Sequence, residues 1–86
     1  MITGPQMKAA RALLAIDQRE LARLSGLSLP TIQRMEACSG TVRGTVESLM
    51  KVVDALRQAG VELIGEGAES TARGRGVRLY LPDQGA

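Results

Sequence analysis

Between Met7 and Leu56 apolar residues recur at intervals of three and four; past Gly60 the period shortens to two. Met7, Ala10, Leu13 and Leu14, behind Gly4-Pro5, predict a first helix from Pro5 to about Ala15. Leu21, Ala22 and Leu24 predict a short second helix behind Asp17, an N-cap with Glu20 at the capping-box position. Ser28 caps a third helix with Pro30 in its first turn and Ile32 and Met35 as its apolar stripe, ending near Cys38. The strongest pattern is GTVESLMKVVDALRQAG, where Val46, Leu49, Met50, Val53 and Leu56 mark one helical face and Gly60 closes it.

The segments VELIG and GVRLYLP then read as two β-strands, separated by the polar, glycine-rich connector EGAESTARGR. Val77, Leu79 and Leu81 fall on one face of the second strand, Arg78 and Tyr80 on the other. A two-stranded ribbon is not stable alone in water. Two placements are open: a private cap over the fourth helix, or pairing with the strands of a second copy. Dimerisation through Val77, Leu79 and Leu81 is the expectation. The chain thus divides into a helical unit over residues 1–60 and a strand tail over residues 61–86.

Composition narrows the chemistry. A chain of 86 residues forms one small domain. One cysteine and no histidine leave no intramolecular disulfide and too few soft ligands for structural zinc. The single aromatic, Tyr80, argues against a single-strand binder that stacks bases. No apolar run is long enough for a bilayer and the first residues lack a signal-peptide core, so a cytoplasmic protein without a membrane partner is expected. No nucleophile beside a base, phosphate loop or carboxylate pair appears, so neither an enzyme nor a cofactor is expected. Net charge is +2, but from Lys8 to Arg43 six cations face three anions. That bias fits an anionic partner or ordinary solvated helix faces.

The stretch LARLSGLSLPTIQRME, residues 21 to 36, carries the functional signal. Helices this short persist only when others clamp them. Gly26 suits a left-handed corner, Leu27 an inward plug, Ala22 a close crossing and Ser28 a cap, the parts of a helix-turn-helix. With Gln18 opening the second helix, Leu21-Ala22, Ser25-Gly26-Leu27-Ser28, and Ile32, Met35 and Glu36, the chain resembles the Cro/repressor-like (XRE-type) helix-turn-helix family of DNA-binding regulators. The likeness spans residues 5 to 60.

That resemblance implies a mainly α fold: a four-helix, lambda-repressor-like helix-turn-helix bundle, here followed by the two-stranded β element. It implies a recognition helix over residues 28 to 38, presented to the major groove of double-stranded DNA. Base contacts would fall to Ser28, Leu29, Pro30, Gln33 and Arg34, with Arg34 forking onto guanine and Gln33 onto adenine. Leu29 and Pro30 offer apolar contact only, a departure from polar-rich members. Gln18, Thr31 and Arg43 would hold phosphates, assisted by the start of the second helix. Bland alternatives stand beside these: solvated positions for Gln18, Thr31 and Gln33, and an ion pair with Glu20 or another surface acid for Arg34; Lys8, Arg19 and Arg23 read as solvated in preference to functional. In the family an arginine of the first helix and the glutamate closing the third form a partly buried ion pair, which implies Arg11 with Glu36 here. Cys38 reads as a small apolar residue in preference to a redox sensor. The expected function is a sequence-specific transcriptional regulator, with repression favoured, binding an inverted repeat as a homodimer. The alternative is an antitoxin-like or other protein-interaction module using the C-terminal strands.

Overall fold

The computed structural model describes residues 2–80. It is mainly α, with four helices: α1 (Gly4–Leu14), α2 (Gln18–Ser25), α3 (Leu29–Glu36) and α4 (Val46–Ala59). Each start is capped by a side-chain oxygen, from Thr3, Asp17, Ser28 and Thr45 in turn. The reciprocal capping box is at α1, where Gln6 returns a bond to the Thr3 amide. At α2 the Asp17 carboxylate accepts from the Glu20 amide, but the Glu20 side chain turns to Arg23 instead of closing a box. α2 and α4 end on the left-handed glycines Gly26 and Gly60, whereas α1 ends on Ala15 at φ 57°, a position where a side chain is strained.

Met7, Leu21, Ile32, Met35, Val52 and Leu56 are fully enclosed at the centre, so all four helices contribute. Two core residues lie outside the helices. Ile2 and Val42 are both buried, brought together where the Val42 amide donates to the Ile2 carbonyl and Thr3 pairs antiparallel with Thr41. The Gly4 amide donates to the Gly40 carbonyl beside them. This short seam ties the start of α1 to the connection between α3 and α4. At Gly4 a β-carbon would lie 2.0 Å from the Cys38 carbonyl oxygen, so only glycine lets α1 approach the end of α3.

The α4 stripe is rotated from its sequence reading. Val46 and Met50 are exposed, and Leu49, Val52, Val53, Ala55 and Leu56 are buried. Both sets obey helical spacing, but Val46 occupies the first turn, 70% exposed. Leu13 and Leu24 also face outward, at 49% and 39% exposure.

The two-stranded C-terminal element is not seen: among the described residues, 61–80 contain no strand. Side chains close this segment instead of a backbone ladder. Glu62 accepts from the hydroxyls of Ser70 and Thr71 and the Thr71 amide, and Arg78 donates to the carbonyls of Gly65 and Ala68. A lone ribbon has no third strand or packed face to stabilise its ladder, so these local bonds compete successfully. Val77 and Leu79 are exposed, and Leu81 lies outside the described residues. The packed body reaches beyond Gly60: Val61 and Leu63 rest on the core, and Gln6 Nε2 donates to the Ile64 carbonyl at 3.0 Å.

Candidate nucleic-acid interface

The corner between α2 and α3 is short and internally bonded. Gly26 takes φ 73° with open space where its β-carbon would be, so the backbone angle, not crowding, calls for glycine. The buried Ser25 hydroxyl donates to the Ala22 carbonyl and accepts from the Leu27 amide, each at 3.3 Å. Leu27 is half-buried against the core, the inward plug its position predicts. The outcome is an α3 whose inner side, Ile32, Met35 and Glu36, is buried while Pro30, Gln33 and Arg34 are exposed.

Ser28 and Thr31 are exposed and half-buried, and their hydroxyls meet at 2.8 Å while Ser28 Oγ also accepts from the Thr31 amide. Both therefore serve the cap of α3 before any ligand, although each hydroxyl retains further hydrogen-bonding capacity. Leu29 is half-buried. It lines a shallow depression of about 250 Å³ together with Asp17, Gln18, Arg19 and Gln33. The structure thus brings Gln18, Leu29 and Gln33 to one concavity between the starts of α2 and α3. Arg34 does not pair with Glu20, whose carboxylate is occupied by Arg23 at 2.5 and 2.9 Å. Among the described residues Arg34 and Arg43 have no ion-pair partner. Arg43 is exposed on the connection between α3 and α4.

Beneath the depression lies a fixed polar triad. Arg11 Nε and Nη2 donate to the two Glu36 oxygens at 2.7 and 2.8 Å, and Arg11 Nη1 donates to the Ile16 carbonyl. Gln18 Nε2 donates to Glu36 Oε1 at 3.1 Å. Glu36 is 1% exposed and Arg11 20%. Burial pushes the Glu36 carboxyl up, but hydrogen bonds from Arg11 and Gln18 and the fields of Arg11 and Lys8 outweigh it and hold the group below its ordinary value. The Arg11 guanidinium is correspondingly raised, chiefly by its bonds to Glu36.

Gln18 therefore stands between two environments. One of its two amide N–H groups is committed to Glu36, and the residue also lines the depression. Sequence reasoning placed Gln18 on the surface and Glu36 in the scaffold without joining them. It read Arg19 as a solvated position; Arg19 is exposed and lines the depression, and the available signal was its place in the first turn of α2, beside Gln18. The Asp17 carboxylate is turned into its own helix cap, which limits its repulsion of an anion there. Among the described residues no cluster of three or more histidine, cysteine or acidic side chains could hold a metal, and no helix is long and apolar enough to cross a membrane. No protein-family model, curated protein or solved structure matches the chain.

Proposed function

We propose that this chain is a sequence-specific double-stranded DNA-binding regulator of the Cro/repressor-like helix-turn-helix type, with α3 as its recognition helix. The observation that carries the reading is the α2–α3 corner: an apolar inner face anchors α3 while Gln33, beside the start of α2, and Arg34, without an ion-pair partner among the described residues, remain exposed. A rigid helix with outward hydrogen-bonding side chains is what base-edge readout in a major groove requires. Gln18 and Arg43 act as phosphate contacts, with Thr31 and Ser28 alongside.

The chain acts as a homodimer on an inverted repeat, placing two copies of α3 roughly 34 to 36 Å apart. The exposure of Val77, Leu79 and Tyr80 at 78%, 86% and 82% supports assembly through residues 76–82, where a second chain supplies the ladder that one chain cannot. The same exposed side chains suit a second reading, an antitoxin-like module whose tail adds a strand to a protein partner.

A binding selection from random duplex DNA at fixed salt tests the main reading. One enriched, dyad-symmetric sequence is expected, and no enrichment overturns it. On that sequence Arg34→Ala relaxes base preference, at about 1–3 kcal/mol for a bidentate contact. Arg43→Ala instead weakens all duplexes alike and lowers the salt slope by about 0.9. Assembly is tested by truncation after Gly65, which retains Val61, Leu63 and the Gln6 bond to Ile64. A truncated chain still dimeric would refute the assigned interface.

A further inference from the structure

The C-terminal segment separates its charges into two blocks. Glu62, Glu66 and Glu69 precede Arg73, Arg75 and Arg78, with no cation in the first block and no anion in the second up to Tyr80. A collapsed tail would pair the blocks, yet the Glu62 carboxylate is occupied by Ser70 and Thr71. Arg78 is spent on two carbonyls. Among the described residues neither Arg73 nor Arg75 forms an ion pair, and both are exposed.

The spacing of these two arginines is informative. They flank Gly74 and are followed by Gly76, in the order Arg-Gly-Arg-Gly. In an extended backbone, side chains two residues apart leave on the same side, roughly 6.6 Å apart, about two base-pair steps of a duplex. The glycines present no side chain on the other side, so the backbone can lie deep in a narrow channel. Open space at both glycines leaves that approach unobstructed, and Gly74, at φ 132° in the folded tail, is free to turn to the extended region that sets the two arginines on one side. A minor groove is about 6 Å wide, and its negative potential deepens over A·T tracts, where arginine is favoured.

We propose that Arg73 and Arg75 form a minor-groove arm for duplex DNA, a second contact independent of α3. This rests on the duplex-DNA reading above and extends it to the tail. The arm has the reach: beyond Ile64, where Gln6 holds the chain, the eleven residues to Arg75 span up to about 36–40 Å. The shorter dimensions of the molecule are 27 and 19 Å. The bonds that close the tail are exposed, so water replaces them at small net cost when it extends.

The test titrates the full-length chain against duplexes of about 30 base pairs, one of A·T pairs and one of G·C pairs, between 50 and 200 mM salt. Wild type binds the A·T duplex more tightly. Arg73→Ala with Arg75→Ala loses that preference, and its affinity gap to wild type narrows roughly twelvefold across the salt range for each arm engaged, the share of two neutralised phosphates per copy. Gly76→Val, which keeps both charges but fills the channel at a position with open space and no positive φ, loses the A·T preference with little change in salt slope. Wild type binding with the double variant unchanged in preference and slope overturns the arm and leaves the α3 reading intact. A loss that sedimentation traces to dissociation of the dimer overturns it too, as does tighter capture of single-stranded RNA than of either duplex. Absence of wild-type binding to both duplexes overturns the arm and leaves the α3 reading to the binding selection.

Discussion

Removing either partner of the Arg11–Glu36 pair breaks the same two ion-pair bonds, yet the two substitutions should differ in cost. Arg11→Ala strips the Glu36 carboxylate of two of its three donors and leaves only Gln18. That carboxylate is 1% exposed in the intact chain, so losing its charged partner costs up to the penalty of an uncompensated buried charge, about 3–5 kcal/mol. For a domain of this size the full penalty lowers Tm by at least roughly 12 °C. Glu36→Gln keeps the shape and one acceptor, and the stranded guanidinium, 20% exposed, can hydrate; about 1–3 kcal/mol is expected.

Acid separates the charge from the packing. In the native chain the folded Glu36 value lies below the unfolded one, so its stabilisation is complete above about pH 4.3 and is lost as pH falls through the folded value. In Arg11→Ala burial prevails, the folded value rises above the unfolded one, and protonation relieves the penalty as pH falls. The gap between the two proteins should therefore narrow from pH 7 to pH 4. Urea unfolding followed by helical circular dichroism at several pH values measures it. An equal cost for both single substitutions, with a gap constant across pH, would refute the reasoning. Replacing both residues by apolar ones of like volume should be near neutral, since no unpaired charge remains.

Three further outcomes test the packing. Gly4→Ala drives a β-carbon into the Cys38 carbonyl and should cost about 1–3 kcal/mol, at the upper end because the obstacle is backbone; thermal melting reads it, and a neutral result would mean α1 and α3 do not approach this closely. Ala15→Gly relieves a left-handed alanine and, after the added freedom of the unfolded chain, should gain about 0.5 kcal/mol; a loss of stability would place Ala15 elsewhere in backbone space. Val46→Thr should stay within about 0.5 kcal/mol of wild type, whereas Val52→Thr, which buries a hydroxyl at a fully enclosed site, should cost about 1–3 kcal/mol; the reverse order would restore the original placement of the α4 stripe.

The candidate site was legible in part. Exposure of Gln33 and Arg34 follows from the inward assignment of Ile32 and Met35, because a helix facing a core one way must face solvent the other. The resemblance implied the Arg11–Glu36 pair, which is present as a bidentate contact. The third member, Gln18, was not legible as such. It lies 18 positions from Glu36, and no local periodicity links residues on different helices.

What the sequence determined by itself is what short-range interactions control. The starts of α2 and α3 follow from capping oxygens at Asp17 and Ser28, those of α1 and α3 from prolines in first turns, and the ends of α2 and α4 from the left-handed glycines Gly26 and Gly60. Each depends on atoms within about one turn. Tertiary structure alone decided the burial of Ile2 and Val42, the need for glycine at position 4, the rotation of α4 toward Val52, and the absence of a ladder across residues 61–80. Those depend on which surfaces are available to meet. A strand pattern declares a face and a period, but it becomes a sheet only where another edge supplies the missing hydrogen bonds.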